Sequence, residues 1–117
     1  MKKICFHIDQ PEAWGVLLGN VYNTFNYFAQ KNEEHHLLVV INGPAAAQSA
    51  KEGAVSAGFY DELTGYIEKG LEVLVCQNAL NAQKIAVDDL VEGVRPIPAA
   101  IIELADRQAD GYAYIKP

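Results

Sequence analysis

Short apolar runs, separated by segments of helical spacing, constrain this chain more than any other feature. Leu37–Asn42 reads Leu-Leu-Val-Val-Ile-Asn, and Leu71–Cys76 reads Leu-Glu-Val-Leu-Val-Cys. Neither alternates strictly between apolar and polar residues, as a strand with one wet face would. Runs this short and β-branched, bounded by Gly70 and by Asn42-Gly43-Pro44, read as strands covered on both faces. Lys3–Asp9 is a third such run, Gly93–Ile97 a short fourth, and Tyr112–Lys116 an alternating last strand. Between them, Glu12 to about Gln30 predicts a helix with Pro11 near its first turn. Trp14, Leu17, Leu18, Val21, Phe25 and Phe28 fall on one stripe of it. Residues 44–58, rich in Ala, Gly and Ser, predict a short helix plus a mobile loop. Further helices are predicted over Phe59–Lys69, from about Asn78 to Ile85, and over Ala99–Ala109, with Gly70 and Gly111 as stops. Strands and helices in this order predict an α/β fold, a parallel sheet with helices on both faces.

Size and charge limit the functions available. The 117 residues suit one domain, 1–117, and no linker, repeat or low-complexity tract divides them. Fifteen acidic residues against nine basic ones give a net charge of −6. That balance argues against nucleic acid or an anionic membrane as the main partner, since both need clustered Lys and Arg. The apolar stretch after Met1 is interrupted by His7 and ends at Asp9, short of the ~7–15 residues of a signal-peptide core. No stretch approaches the ~20 apolar residues of a membrane span, so a cytoplasmic location is expected. The two cysteines, Cys5 and Cys76, form no Cys-x-x-Cys and no zinc spacing. No structural disulfide, metal or cofactor is expected.

Cys76 is the leading candidate for chemistry. It ends a strand and faces the start of a helix, where open α/β sheets place their ligands. Unpaired N–H groups and the helix dipole there favour thiolate over thiol, which suits a nucleophile or a sulfur carrier. Asp9 and Asn42 also stand at strand ends, so in a parallel sheet all three line one rim. The competing reading is that strand ends simply need polar residues in order to turn. Cys5, mid-strand, reads as a small core residue. His7 shares a strand face with Cys5 and Asp9; it reads as a buried histidine paired with Asp9, or as a base for Cys76. His35 and His36 read as exposed.

Two familiar anion sites are excluded by the residues present. A rhodanese or phosphatase loop needs an arginine a few residues after the cysteine, whereas residues 77–83 are Gln-Asn-Ala-Leu-Asn-Ala-Gln. A flavodoxin-type phosphate loop needs small polar residues after the first strand, whereas Asp9-Gln10-Pro11-Glu12 is acidic. On the first helix, Asn20, Asn23 and Asn26 oppose the apolar stripe and are poor helix formers. They read as a solvated face or as a subunit contact, the latter favoured by the flanking Tyr22 and Tyr27.

Across its whole length the chain resembles the DsrE/DsrF-like superfamily, in its small single-domain branch. The resemblance rests on Lys3–Asp9 with Trp14, on Asn20 and Asn23, and on Val40-Ile41-Asn42-Gly43-Pro44. It continues through Gly70–Leu80, Pro98-Ala99 and Arg107–Ile115. It implies a three-layer α/β/α fold with a five-stranded, mainly parallel sheet, and a homo-oligomer, trimer or hexamer. It also implies sulfur relay: Cys76 holds sulfane sulfur as a persulfide and exchanges it with donor and acceptor proteins. Helix-terminal N–H groups and the Asn78 side chain would stabilise the anion. The chain departs from the relay proteins in lacking basic residues after the cysteine until Lys84, and in having no second cysteine placed to resolve a disulfide. The alternatives are a non-catalytic oligomeric module, in which the crevice near Asp9, Asn42 and Cys76 holds a small ligand and Cys76 is only part of the wall, and a single-thiol redox sensor.

Overall fold

The structure, a computed structural model, describes residues 1–117. Five strands form one sheet: β1 (Lys2–Ile8), β2 (His35–Ile41), β3 (Glu72–Cys76), β4 (Val94–Ile97) and β5 (Ala113–Ile115). Their order is β4-β3-β2-β1-β5, and every neighbouring pair is parallel. The helices are α1 (Trp14–Lys31), α2 (Lys51–Ala57), α3 (Tyr60–Glu68), α4 (Gln77–Ala82) and α5 (Ala100–Ala109). None is long and apolar enough to cross a membrane.

The continuous apolar runs have a direct structural cause. In β2, Leu37, Val39 and Ile41 face one way and Leu38 and Val40 the other, and all five are buried. Each such side chain contributes about 2 kcal/mol on leaving water. The two faces are nevertheless covered unequally. The chain steps from β1 to β4 in one direction, so right-handed crossovers put α1 to α4 on one face. Only the return from β4 to β5 crosses the other face, and it carries α5 alone. Side-chain contacts agree: the β2 residue His35 stacks on Phe28 of α1, ring centroids 4.5 Å apart. From the opposite side, Arg107 of α5 reaches Glu72 on β3 at 3.1 Å.

Several predicted boundaries shift for identifiable reasons. β1 stops at Ile8 because the Asp9 carbonyl leaves the ladder and accepts the Ala45 N–H at 3.1 Å. β2 begins at His35, two residues before the predicted Leu37, and both histidines are half-buried rather than exposed. His36 Nε2 lies 3.2 Å from Glu72 Oε1, and its Nδ1 is bonded to the Tyr112 hydroxyl. Glu72 also takes Arg95 at 2.6 Å, so an ion-pair cluster closes the amino end of the sheet. Residues 44–58 hold no loop: Gly43–Ser49 is a 3-10 helix, Lys51–Ala57 is α2, and Ala50 between them bridges to Leu90. α4 ends at Ala82, short of Ile85, because Lys84 adopts a left-handed φ of 57°. The Ile85 N–H then closes back onto the Leu80 carbonyl at 2.9 Å, a helix-ending hydrogen bond.

Candidate functional site

The carboxyl end of β3 is where strand becomes helix without a connecting residue. Cys76 is extended, with φ −65° and ψ 123°, and Gln77 opens α4. The first N–H groups of any helix lack partners within it. By strand alternation Cys76 shares a face with Glu72 and Leu74, the face that α5 covers only in part. Cys76 is 7% exposed and lines a crevice of about 520 Å³. Asn42, Gly43 and Pro44 form one wall, and Asn78, Ala79, Ala82 and Gln83 the other.

Local sequence explains both walls. Beyond the Ile41–Val75 pair, the ladder brings Asn42 level with Cys76. The chain then turns sharply at Gly43, whose φ is +59°, and a Cβ there would lie 3.2 Å from the Asp9 carbonyl. Only glycine meets both conditions without strain. The turn is held from beneath by buried Trp14, whose indole N–H donates to the Ala45 carbonyl at 3.3 Å. Across the crevice, the Gln83 amide donates to the Gly43 carbonyl at 2.9 Å and to the Ala79 carbonyl at 3.2 Å, tying the end of α4 to the turn.

Of the residues singled out from sequence, Cys76, Asn42 and Asn78 line this crevice together. Asp9 stands at the same end of the sheet but outside the lining. Its carboxylate is taken by Lys116 at 3.0 Å. His7 pairs with neither Asp9 nor Cys76. Its Nδ1 is bonded to the Tyr114 hydroxyl at 2.6 Å and its Nε2 to Asn42 Oδ1 at 2.8 Å, so Asn42 stands between the imidazole and the crevice. Asn20 is half-buried on α1, while Asn23 and Asn26 are exposed, remote in sequence from every residue of the crevice walls. Cys5 is fully buried, and burial pushes its thiol up to about 11.

Sequence reasoning missed Gln83 and Tyr114. Gln83 lies one helical turn after Ala79, a spacing that does place it on the crevice side of α4. Tyr114 has no such signal, because only the β1–β5 pairing brings it to His7.

A larger open cavity, about 770 Å³, lies between α2 and the α4–β4 connection, lined by Lys51, Lys84, Asp88 and Asp89 among others. It contains no cysteine and no histidine.

Comparison with known proteins places the fold. A protein of unknown function from Methanobacterium thermoautotrophicum superposes with a TM-score of 0.87 over 100% of both chains, at 24% sequence identity. No curated protein matches the chain. The model of the DsrE/DsrF-like family matches residues 9–117, from the end of β1 through β5 and including every wall of the crevice. The chain belongs to the DsrE/DsrF-like family.

Proposed function

We propose that the protein is a sulfur carrier in a sulfur relay, with Cys76 as the carrying residue. Family membership supports a relay-related role. The observation that carries the finer reading is the placement of Cys76 at the strand–helix junction, where it lines a crevice together with side-chain amides. The Cys76 thiolate attacks the outer sulfur of a donor persulfide. The new Sγ–S bond forms as the donor's S–S bond breaks, and the electron pair leaves on the donor thiolate. An acceptor thiolate later repeats the same step on Cys76. Neither transfer changes the net oxidation level, so no cofactor or oxidant is required. Because Cys76 is 7% exposed, the donor sulfur has to enter the crevice rather than meet the thiol on an open surface.

A second reading has its own support. The seven residues after Cys76 carry no charge, and the crevice walls offer amides and small apolar side chains. Those are the groups a small, neutral, polar ligand would need, with Cys76 as part of the wall.

The two readings separate in one experiment. Protein purified without reductant is treated with a persulfide donor and analysed by mass spectrometry. The carrier reading expects one sulfur atom on the Cys76 peptide, none on Cys5, and no uptake by Cys76→Ser. Uptake by Cys76→Ser at the wild-type rate overturns it, and a wild type that takes up no sulfur favours the binding module.

Assembly as a homo-oligomer, a trimer or hexamer, is part of the same proposal. Exposed Tyr22 and Tyr27 beside Asn23 and Asn26 on α1 support that face as a subunit contact.

A further inference from the structure

The crevice has no cation to offer an anionic sulfur. None of its lining residues is Lys, Arg or His, and its side-chain N–H donors are the amides of Asn42, Asn78 and Gln83. Gln83 is committed to the Gly43 and Ala79 carbonyls. Asn78 is exposed on the first turn of α4, with no side-chain partner. Asn42 is the one amide held from behind. Its Oδ1 meets His7 Nε2, and His7 Nδ1 meets the Tyr114 hydroxyl, so three side chains from β1, β5 and the end of β2 form one hydrogen-bonded chain.

The direction of that chain follows from donor chemistry. An amide oxygen only accepts, so His7 Nε2 carries the proton and donates to Asn42. In the neutral imidazole Nδ1 is then the acceptor, and the Tyr114 hydroxyl donates to it. With its oxygen taken, Asn42 keeps both amide N–H donors, which have no protein partner, on the wall it shares with Cys76. Paired strands lie about 4.8 Å apart, a gap that a side-chain amide spans. Without His7 the amide turns over freely, and its oxygen would repel the same anion.

We infer that His7, backed by Tyr114, is a positioning residue: it holds the Asn42 amide with its N–H donors towards an anionic sulfur on Cys76. The inference rests on the carrier reading, because only a carrier or nucleophile needs that anion stabilised. Charged groups elsewhere compete little. The Asp9–Lys116 pair is closed on itself at 3.0 Å, α4 carries no charged residue, and Arg95 and Arg107 are engaged by Glu72. His7 itself is 8% exposed, which keeps bulk water from taking over its two hydrogen bonds.

The test is the rate of Cys76 alkylation by iodoacetamide against pH, read on the Cys76 peptide of the full chain. A hydrogen bond to a charged group is strong enough that losing it slows alkylation at neutral pH about tenfold. His7→Leu is expected to show that loss and to move the midpoint of the profile to higher pH. His7→Gln, whose amide can donate to Asn42 in place of the imidazole, is expected to recover part of both. Asn42→Asp, which keeps an acceptor for His7 but replaces the donor with a charge, is expected to move the midpoint further. If His7→Leu does not fold, Tyr114→Phe takes its place, since Tyr114 is 39% exposed and its ring is retained; a smaller slowing of the same sign is expected. A wild-type midpoint in His7→Leu, or in Tyr114→Phe where it stands in, overturns the inference, and so does a wild-type midpoint in Asn42→Asp. The carrier reading fails separately, when the wild type takes up no sulfur although these alkylation shifts are present.

Discussion

Cys5 sits mid-strand in β1, shut away from water, and burial lifts its thiol from 9.0 to about 11, although Arg107 nearby pulls the other way. Tyr66 is held above the usual tyrosine range by burial and then by its 2.6 Å hydrogen bond to Glu62. Both are acids kept neutral by the fold, so above pH 9 the unfolded chain releases protons that the folded chain retains. Stability is therefore full below pH 9 and falls as pH rises towards 11. Denaturant unfolding across that range is expected to show the decline, and Cys5→Ala is expected to flatten it while lowering stability at neutral pH through the lost packing. An unchanged slope in Cys5→Ala would assign the decline elsewhere. Cys76, two strands away and at the strand's end, has the same side chain and a different outlet, the crevice. Its residue type marked it in the sequence, and its position at a strand end facing the start of a helix gave the reason to look there.

At the scale of elements, the least legible stretch was residues 44–58. Its small residues suggested a short helix plus a mobile loop, yet they are small because helices pack there almost backbone to backbone. A Cβ on Gly53 of α2 would fall 2.0 Å from the Ala47 carbonyl oxygen of the preceding 3-10 helix. The carbonyl cannot move without displacing the turn that holds Ala45 and Ala46 in the core. Gly53→Ala, elsewhere in a helix a stabilising change, is therefore expected to cost about 3 kcal/mol here. Urea unfolding checks it, and a neutral or stabilising result would show that the contact relaxes. The same turn forms a wall of the Cys76 crevice, so the variant is also expected to loosen that site. β2 offers the converse case. Its first residues, His35 and His36, are polar and were read as exposed, but Phe28 stacks on one and Glu72 and Tyr112 bind the other. Phe28 sits on the helix just before β2, but Glu72 and Tyr112 are distant in sequence, so no local pattern announced them.

The whole molecule is lopsided. One helix, about 10 Å across and lying roughly along the strands, cannot cover five strands that span roughly 24 Å, so part of the α5 face stays open around Tyr114 and Lys116. The other side presents an exposed strip of α1, with Tyr22 55% and Tyr27 51% accessible. Surfaces of this kind agree with the proposed homo-oligomer. Light scattering on the purified chain is expected to give a mass above the monomer. The double variant Tyr22→Glu, Tyr27→Glu is expected to shift it downward without loss of helix content. A wild type that is monomeric at high concentration would remove the assembly from the proposal.

What the sequence determined by itself was the class of fold and the strand-end position of Cys76. Doubly apolar runs demand cover on both faces, and helices between successive strands demand a parallel sheet, because crossover connections leave no other arrangement. Strand ends are equally legible, since Asn42-Gly43-Pro44 and Cys76-Gln77 interrupt their runs locally. Tertiary structure alone decided which rim residues meet. Asp9 and Asn42 looked equivalent as neighbours of Cys76 on one rim, but Lys116 draws the Asp9 carboxylate away and His7 anchors Asn42 against the crevice. The first depends on β5 lying beside β1, a pairing between segments more than 100 residues apart, and the second on β2 lying beside β1. Hydrogen-bond direction and charge pairing act across space, and a pattern read along the chain carries neither.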